Sequence, residues 1–272
     1  MPDIYNLEIH VAHACNLACE SCSHYSNHAH KGIVSLEEAE AWMAPWGGRI
    51  APKFFSLLGG EPTVHPELTQ FVRIARKHWP RSTLRIVTNG FFLDRHPELP
   101  AFMREDGRTL LNISVHHNST EYRERMRPVL ELAEKWTRDY GIRIQVFTSN
   151  ESWTRRYKGY GAAMEPFEDR NPRSSWENCA AKTCPQVFEG RIWKCAPLAY
   201  LRMQHERFGL SERWAPYLKY RALEPGCTEQ ELHAFFALEE ESHCAMCAAK
   251  PEHFSLPMPM RVHSRKRAPL PE

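Results

Sequence analysis

The sequence predicts an α/β fold: a partial (β/α)5–6 TIM-like barrel followed by a small C-terminal unit built on a β-hairpin. Three observations predict it. Short apolar runs alternate with helical stretches over the first 150 residues, which implies βαβ units and a parallel sheet. Such units are right-handed and curl toward a barrel, with any site at the C-terminal strand ends. Polar or glycine-rich residues follow four of the five predicted strands, at Gly59–Glu61, Asn89-Gly90, His116–Asn118 and Ser149-Asn150, and a cysteine loop follows the remaining, first one.

Ile4–Val11 has strand character. Ser35-Leu36-Glu37-Glu38 is a capping box that opens a helix toward Trp46. Lys53–Leu58 is a short apolar strand ending in Gly59-Gly60-Glu61-Pro62, and Pro66 starts a helix through Trp79. Leu84–Thr88 is a strand closed by Asn89-Gly90, a helix covers Pro97–Glu105, and Leu110–Val115 is the fourth strand. Ser119–Tyr140 reads as a long helix interrupted near Pro128 and stopped by Gly141, and Ile142–Thr148 as a fifth strand. The domain organisation expected is a barrel over 1–158, a Gly-, Pro- and charge-rich linker over 159–177, a cysteine-bearing unit over 178–252, and a basic, proline-rich tail over 253–272.

Composition narrows the function. Of 272 residues, 42% are apolar and 25% charged, as in an ordinary globular protein. Lys+Arg less Asp+Glu is 35 − 33 = +2, which gives no reason to expect nucleic acid or an anionic membrane as partner. No apolar run approaches the roughly 18 residues of a membrane span, and the N-terminus lacks a signal peptide's regions. A cytoplasmic location is expected, where nine cysteines serve metal binding or chemistry rather than disulfides.

The first cysteines, Cys15, Cys19 and Cys22, are spaced C-x3-C-x2-C on the loop after the first strand. Three thiolates on one short loop suit three irons of a [4Fe–4S] cube and leave the fourth iron open to another ligand. A zinc site completed by His13 or His24 is the competing reading, although the spacing is not the paired one of structural zinc.

This loop, its place after the first strand, and Gly59-Gly60-Glu61-Pro62 after the second resemble the radical S-adenosylmethionine (SAM) enzymes over residues 4 to about 150. The resemblance implies a SAM-binding [4Fe–4S] cluster on Cys15, Cys19 and Cys22, and reductive cleavage of SAM to a 5′-deoxyadenosyl radical that abstracts hydrogen from carbon. It implies that Gly59, Gly60 and Glu61 meet SAM's methionyl amino group, and that Thr88, Asn89 and Ser114 sit near its carboxylate or ribose. It also implies a reductase or flavodoxin-type electron donor. One departure is Ser21, where the family usually has an aromatic or apolar residue near the adenine.

Val187–Trp193 is a β-hairpin pattern about Glu189-Gly190, and pairing there brings Cys184 toward Cys195. Cys179, Gly190 and Cys195 are spaced as at the opening of the twitch and SPASM auxiliary-cluster domains that follow many radical SAM barrels, and Cys244-x2-Cys247 looks like the second ligand pair. The resemblance thus implies an auxiliary [4Fe–4S] cluster on Cys195, Cys244, Cys247 and either Cys179, which spacing favours, or Cys184, which hairpin geometry favours. A four-cysteine zinc knuckle is the alternative. Cys227 reads as a small apolar core residue.

Of fifteen histidines, five (His10, His13, His24, His28, His30) flank the first loop, and His116 at the fourth strand end is the one placed to touch substrate. With the cluster loop starting at residue 15, no leader-peptide domain is expected in front, and a small polar substrate such as a sugar or aminocyclitol is favoured. The compact build resembles the superfamily's aminocyclitol dehydrogenases and its twitch-bearing aminoglycoside epimerases. The competing functions are oxidation with the auxiliary cluster as electron acceptor, redox-neutral epimerisation or lysis with a thiol donor (Cys184, Cys179 or Cys227), peptide maturation with a separate leader-binding protein, and non-catalytic zinc binding.

Overall fold

A computed structural model describes residues 2–260, with Asn150 and Ser152 as backbone alone. Five strands, β1 (Asp3–Ala12), β2 (Ala51–Gly59), β3 (Thr83–Thr88), β4 (Thr109–Val115) and β5 (Arg143–Thr148), alternate with α1 (Leu36–Met43), α2 (Leu68–His78), α3 (Leu99–Asp106) and α4 (Thr120–Tyr140). Neighbouring strands of this set are parallel. After α5 (Pro172–Glu177) come β6 (Gln186–Phe188) and β7 (Arg191–Trp193), followed by α6 (Ala196–Phe208), α7 (Ala215–Leu218) and α8 (Glu229–Ala237). The single sheet has the order β5-β4-β3-β2-β1-β6-β7 and is open, a partial barrel.

The sixth parallel strand comes from the hairpin. β6 lies on the free edge of β1, with Glu8 opposite Gln186 and Ile9 opposite Val187, and β7 returns antiparallel. The predicted hairpin is present, but its first strand belongs to the barrel sheet.

Period-two alternation gives the sheet two unlike faces. Leu7, Ile9 and Val11 pack with Phe55, Leu57, Ile86 and Ile113 under the helices in one core. Each such side chain contributes about 1.5–3 kcal/mol by burial. The other face of β1 carries Asn6, Glu8 and His10, all buried. There Ser56 Oγ and Arg85 Nη2 donate to Asn6 Oδ1 at 2.9 and 2.8 Å, and Asn6 Nδ2 and Gln186 Nε2 donate to the Glu8 carboxylate at 2.7 and 2.6 Å. Partners of this kind are what make a buried carboxylate tolerable.

Several local expectations change. The Ser35–Glu38 capping box forms, but α1 stops at Met43. Trp46, fully buried, instead anchors the following turn, donating from Nε1 to Gly190 O at 2.9 Å. α4 is continuous through Pro128. Pro128 and Glu124, whose carbonyl loses its helical donor, are both solvent-exposed residues, where the loss of that helical bond is tolerated. The expected linker is packed: Met164 and Phe167 are buried, Trp214 Nε1 donates to Met164 O at 2.7 Å, and Phe167 N donates to Met246 O at 3.0 Å. The start of the expected tail is a strap over the first cysteine loop: Leu256 packs on Leu17 and Cys19, and Ala18 N donates to Pro259 O at 2.8 Å. The basic run 261–267 and the rest of the tail lie outside the described residues. Among the described residues no helix is long and apolar enough to cross a membrane.

The helical layer is clamped by an ion pair. Arg76 donates from Nε and Nη2 to Asp106 Oδ1 and Oδ2 at 2.7 and 3.0 Å, joining the ends of α2 and α3. Burial pushes the Asp106 carboxyl up, but Arg76 and Thr109 outweigh it and hold it below its ordinary value of 3.8. A depressed folded value contributes stability above the ordinary one and loses it as pH falls through the folded one. Asp106→Asn is therefore expected to lower unfolding stability at pH 7 by about 1–3 kcal/mol. In urea titrations the gap from the parent should close as pH falls below 3.8. A gap that does not change with pH would contradict this role.

Candidate functional site

At the C-terminal ends of the strands lies a cavity of about 230 Å³. Cys15, Cys19 and Cys22 line it, together with the strand-end residues assigned to SAM or substrate from the sequence: Gly59, Gly60, Glu61, Thr88, Asn89, Ser114 and His116.

Backbone contact holds the two loops together. Gly60 N donates to Ala12 O at 2.8 Å and Glu61 N to Ala14 O at 2.9 Å. A Cβ at Gly59 would stand 2.1 Å from Ala12 O, and one at Gly60 2.3 Å from Ala14 O, so only glycine permits this approach. The Glu61 side chain is buried and turned to the neighbouring strand end. Its carboxylate accepts from Thr63 N and Oγ1 at 3.0 and 2.5 Å, from Thr88 Oγ1, and from Asn89 N at 2.7 Å. Burial raises the Glu61 carboxyl, and these donors oppose the rise. Asn89 Nδ2 donates in turn to Asn16 Oδ1 at 2.7 Å, which fixes the cysteine loop to β3. Asn16 belongs to no motif and was not expected.

The cysteine loop holds unusual backbone. Ser21, Tyr25 and Ala29 have φ of 59°, 57° and 58°. A left-handed residue other than glycine costs roughly 1–2 kcal/mol, and such strain persists where surroundings enforce it. They do so here. Ser21 Oγ, at the position that departs from the family pattern, accepts from Arg156 N at 2.6 Å, and Trp153 Nε1 donates to Glu20 O at 2.7 Å. Trp153 also borders the cavity, another contribution the sequence did not signal.

The donor set suits a cationic iron–sulfur core. Burial raises the Cys22 thiol and lowers the His24 imidazole, yet their mutual contact outweighs burial and favours thiolate beside imidazolium. Leu17 N donates to Cys15 Sγ at 3.3 Å, a contact that favours thiolate. His116 is half-buried, and burial lowers its value to about 4, so the ring is neutral near pH 7. Its Nδ1 is buried without a hydrogen-bond partner among the described residues.

A second pocket brings together Cys179, Cys195, Cys244 and Cys247. Cys195 is the N-cap residue of α6, Cys179 follows α5, Cys244 lies within a 3-10 turn at Ser242–Met246, and Cys247 ends that turn. Ser175 Oγ donates to Cys247 O at 3.0 Å and ties the two segments. Ala181 N and Glu241 N donate to Cys179 and Cys244 sulfurs at 3.3 and 3.5 Å. Burial and the thiolates of Cys179, Cys247 and Cys244 push Cys195 far up; burial and the same kind of crowding push Cys247 to about 12. Four thiolates this close need a positive centre to ionise together. Among the described residues no group of three or more Cys, His, Asp or Glu side chains is arranged to hold a metal ion.

Cys184 lines neither pocket. Because β6 pairs with β1, its sulfur turns to Asn6, whose Nδ2 donates to it at 3.7 Å, and burial with the Glu8 carboxylate raises the thiol. The hairpin geometry expected to bring Cys184 toward Cys195 therefore leaves Cys184 beside Asn6, outside the four-cysteine pocket. Cys227 is half-buried, with Arg49 Nη2 3.6 Å from its sulfur.

The Radical SAM superfamily profile matches residues 9–148, more than half of the chain. The chain belongs to the radical SAM superfamily. The family uses a [4Fe–4S] cluster and SAM, and its members are enzymes. Curated radical SAM relatives include the GTP 3',8-cyclase of Chlorobaculum tepidum, 33% identical over 109 residues (40% of this chain, 32% of the relative), and that of Alkaliphilus oremlandii, 29% identical over 133 residues (46% and 40%). The chain thus matches well under half of their length. Among solved radical SAM structures, BtrN in complex with AdoMet and 2-DOIA aligns over 93% of this chain and 97% of its own, with a TM-score of 0.53 and 16% identity, a likeness of fold.

The close approach of the two loops is directly testable. Gly60→Ala is expected to lower unfolding stability by about 2–4 kcal/mol, because two backbone segments must separate. SAM binding by calorimetry should be lost with it. Parent-like melting and SAM affinity in that variant would refute the close packing.

Proposed function

We propose that this radical SAM protein oxidises a small polar substrate, a sugar, aminocyclitol or similar natural-product intermediate, at a carbinol carbon. Cys15, Cys19 and Cys22 would hold the [4Fe–4S] cluster that binds SAM. Cys179, Cys195, Cys244 and Cys247 would hold an auxiliary [4Fe–4S] cluster of twitch type. Once bound, these groups supply hydrogen abstraction by a 5′-deoxyadenosyl radical and a second site that accepts the remaining substrate electron. The observation that carries this reading is the division of seven cysteines between a three-thiol pocket at the strand ends and a separate four-thiol pocket. A three-thiol site leaves an iron open for SAM, and a four-thiol site suits electron transfer.

The chain's own residues position and neutralise. Gly59, Gly60 and Glu61 form the wall for SAM's amino group, and Thr88, Asn89 and Ser114 the wall for its carboxylate and ribose. His116, as a neutral imidazole with Nδ1 unengaged, would exchange hydrogen bonds with a substrate hydroxyl. Oxidation is favoured over epimerisation because none of the three candidate hydrogen-donor thiols lines the strand-end cavity: Cys184 lies against Asn6, Cys179 lines the four-thiol pocket and Cys227 sits beside Arg49. A reductase or flavodoxin-type protein would supply the priming electron.

Anaerobic reconstitution tests this. The parent protein should take up about eight irons per chain. The Cys15→Ala/Cys19→Ala/Cys22→Ala variant should lose roughly half of them and all 5′-deoxyadenosine formation on reduction with SAM. Cys195→Ala/Cys244→Ala should lose the other half while still cleaving SAM. A colourless protein holding only zinc would end the proposal.

A further inference from the structure

Tyr25 occupies the ground between the two cysteine pockets. Its backbone N–H donates to the Cys22 carbonyl at 3.0 Å. Its ring is 1% exposed and lies in the second core, against which Cys195 and Cys247 also pack. Its hydroxyl donates to Pro197 O at 3.2 Å, two residues beyond Cys195. One hydrogen bond, one side chain and a second hydrogen bond therefore run unbroken from the first cysteine loop to the start of α6.

Two further observations single the residue out. Tyr25 is held at φ 57° and ψ 11°, a conformation that disfavours a bulky side chain. The Tyr157 ring lies beside it, with centroids 5.4 Å apart, and its hydroxyl donates to Asn27 Oδ1 at 3.1 Å, on the first loop.

We propose that Tyr25 is the electronic bridge between the two cysteine sites. The proposal rests on the reading of both sites as [4Fe–4S] clusters. Electrons cross bonded and hydrogen-bonded atoms more readily than gaps between packed groups, and Tyr25 supplies the bonded route. In the step it serves, a reduced auxiliary cluster (1+) gives one electron to the oxidised first cluster (2+), leaving 2+ and 1+. No proton moves and the phenol is unchanged. The electron left by substrate thus returns to the site that delivers one to SAM. The two-electron oxidation of a carbinol then balances the two-electron cleavage of SAM to 5′-deoxyadenosine and methionine, with no net external electron.

The test uses the full reconstituted chain without SAM or substrate. A sub-stoichiometric pulse of photochemically generated reductant is followed by freeze-quench EPR, which reads how fast the electron equilibrates between the two cluster signals. Tyr25→Phe, which removes only the bond to Pro197, should equilibrate several-fold more slowly at unchanged iron content and final distribution. Tyr25→Leu should be slower again. Tyr160→Phe, at an exposed ring beyond the bridge, should match the parent. Parent-like rates in Tyr25→Phe with both clusters present would overturn the bridge, as would an equal slowing in Tyr160→Phe. If Tyr25→Leu does not fold, Tyr25→Phe decides alone. About four irons in the parent would instead overturn the two-cluster reading, and the bridge with it.

Discussion

Gly60 N–H on Ala12 O and Glu61 N–H on Ala14 O press the end of β2 against the exit of β1. Much of the site depends on that contact. It fixes where the first cysteine loop leaves the sheet, and it turns the Glu61 carboxylate inward to Thr63, Thr88 and Asn89. Asn89 then reaches back to Asn16 in the cysteine loop. Three strand ends and one loop are held in register around a single buried carboxylate. Burial alone would favour its protonation, so the ring of donors is a requirement for the charged form.

The same logic of compensation recurs elsewhere. The sheet's inner face places Glu8 in a buried position, and Asn6 and Gln186 each supply a donor. At the four-thiol pocket burial and the neighbouring thiols push Cys195 and Cys247 toward protonation. The first arrangement is complete within the chain. The second would be completed by the positive centre of the proposed auxiliary cluster.

Residues 4 to 150 were readable because a period of two alternates there with helical stretches, and because the cysteine loop and Gly59–Glu61 are short local motifs. Site residues at the strand ends followed from their place at the end of a strand. Pro128 misled because propensity says nothing about whether the orphaned carbonyl faces water. The C-terminal third was harder for a different reason. β6 has three residues, too few for a periodic signal, and its partner β1 lies 178 residues away in the pair Glu8–Gln186. That pairing decides where Cys184 points. The convergence of Cys179 with Cys244 and Cys247 likewise depends on packing between α5 and a distant 3-10 turn. Asn16, Tyr25 and Trp153 carry no motif, and their roles arise only from what surrounds them.

The central claim is chemical: one site of three thiols open to SAM, and one of four thiols closed to it. Mössbauer spectroscopy of the anaerobically reconstituted, 57Fe-labelled chain, recorded with and without SAM, tests it most directly. Of about eight irons, one should shift on SAM addition toward the parameters of an iron with nitrogen and oxygen ligands, while the irons of the second cluster remain unchanged. A spectrum indifferent to SAM, or one in which both clusters respond, would contradict the division.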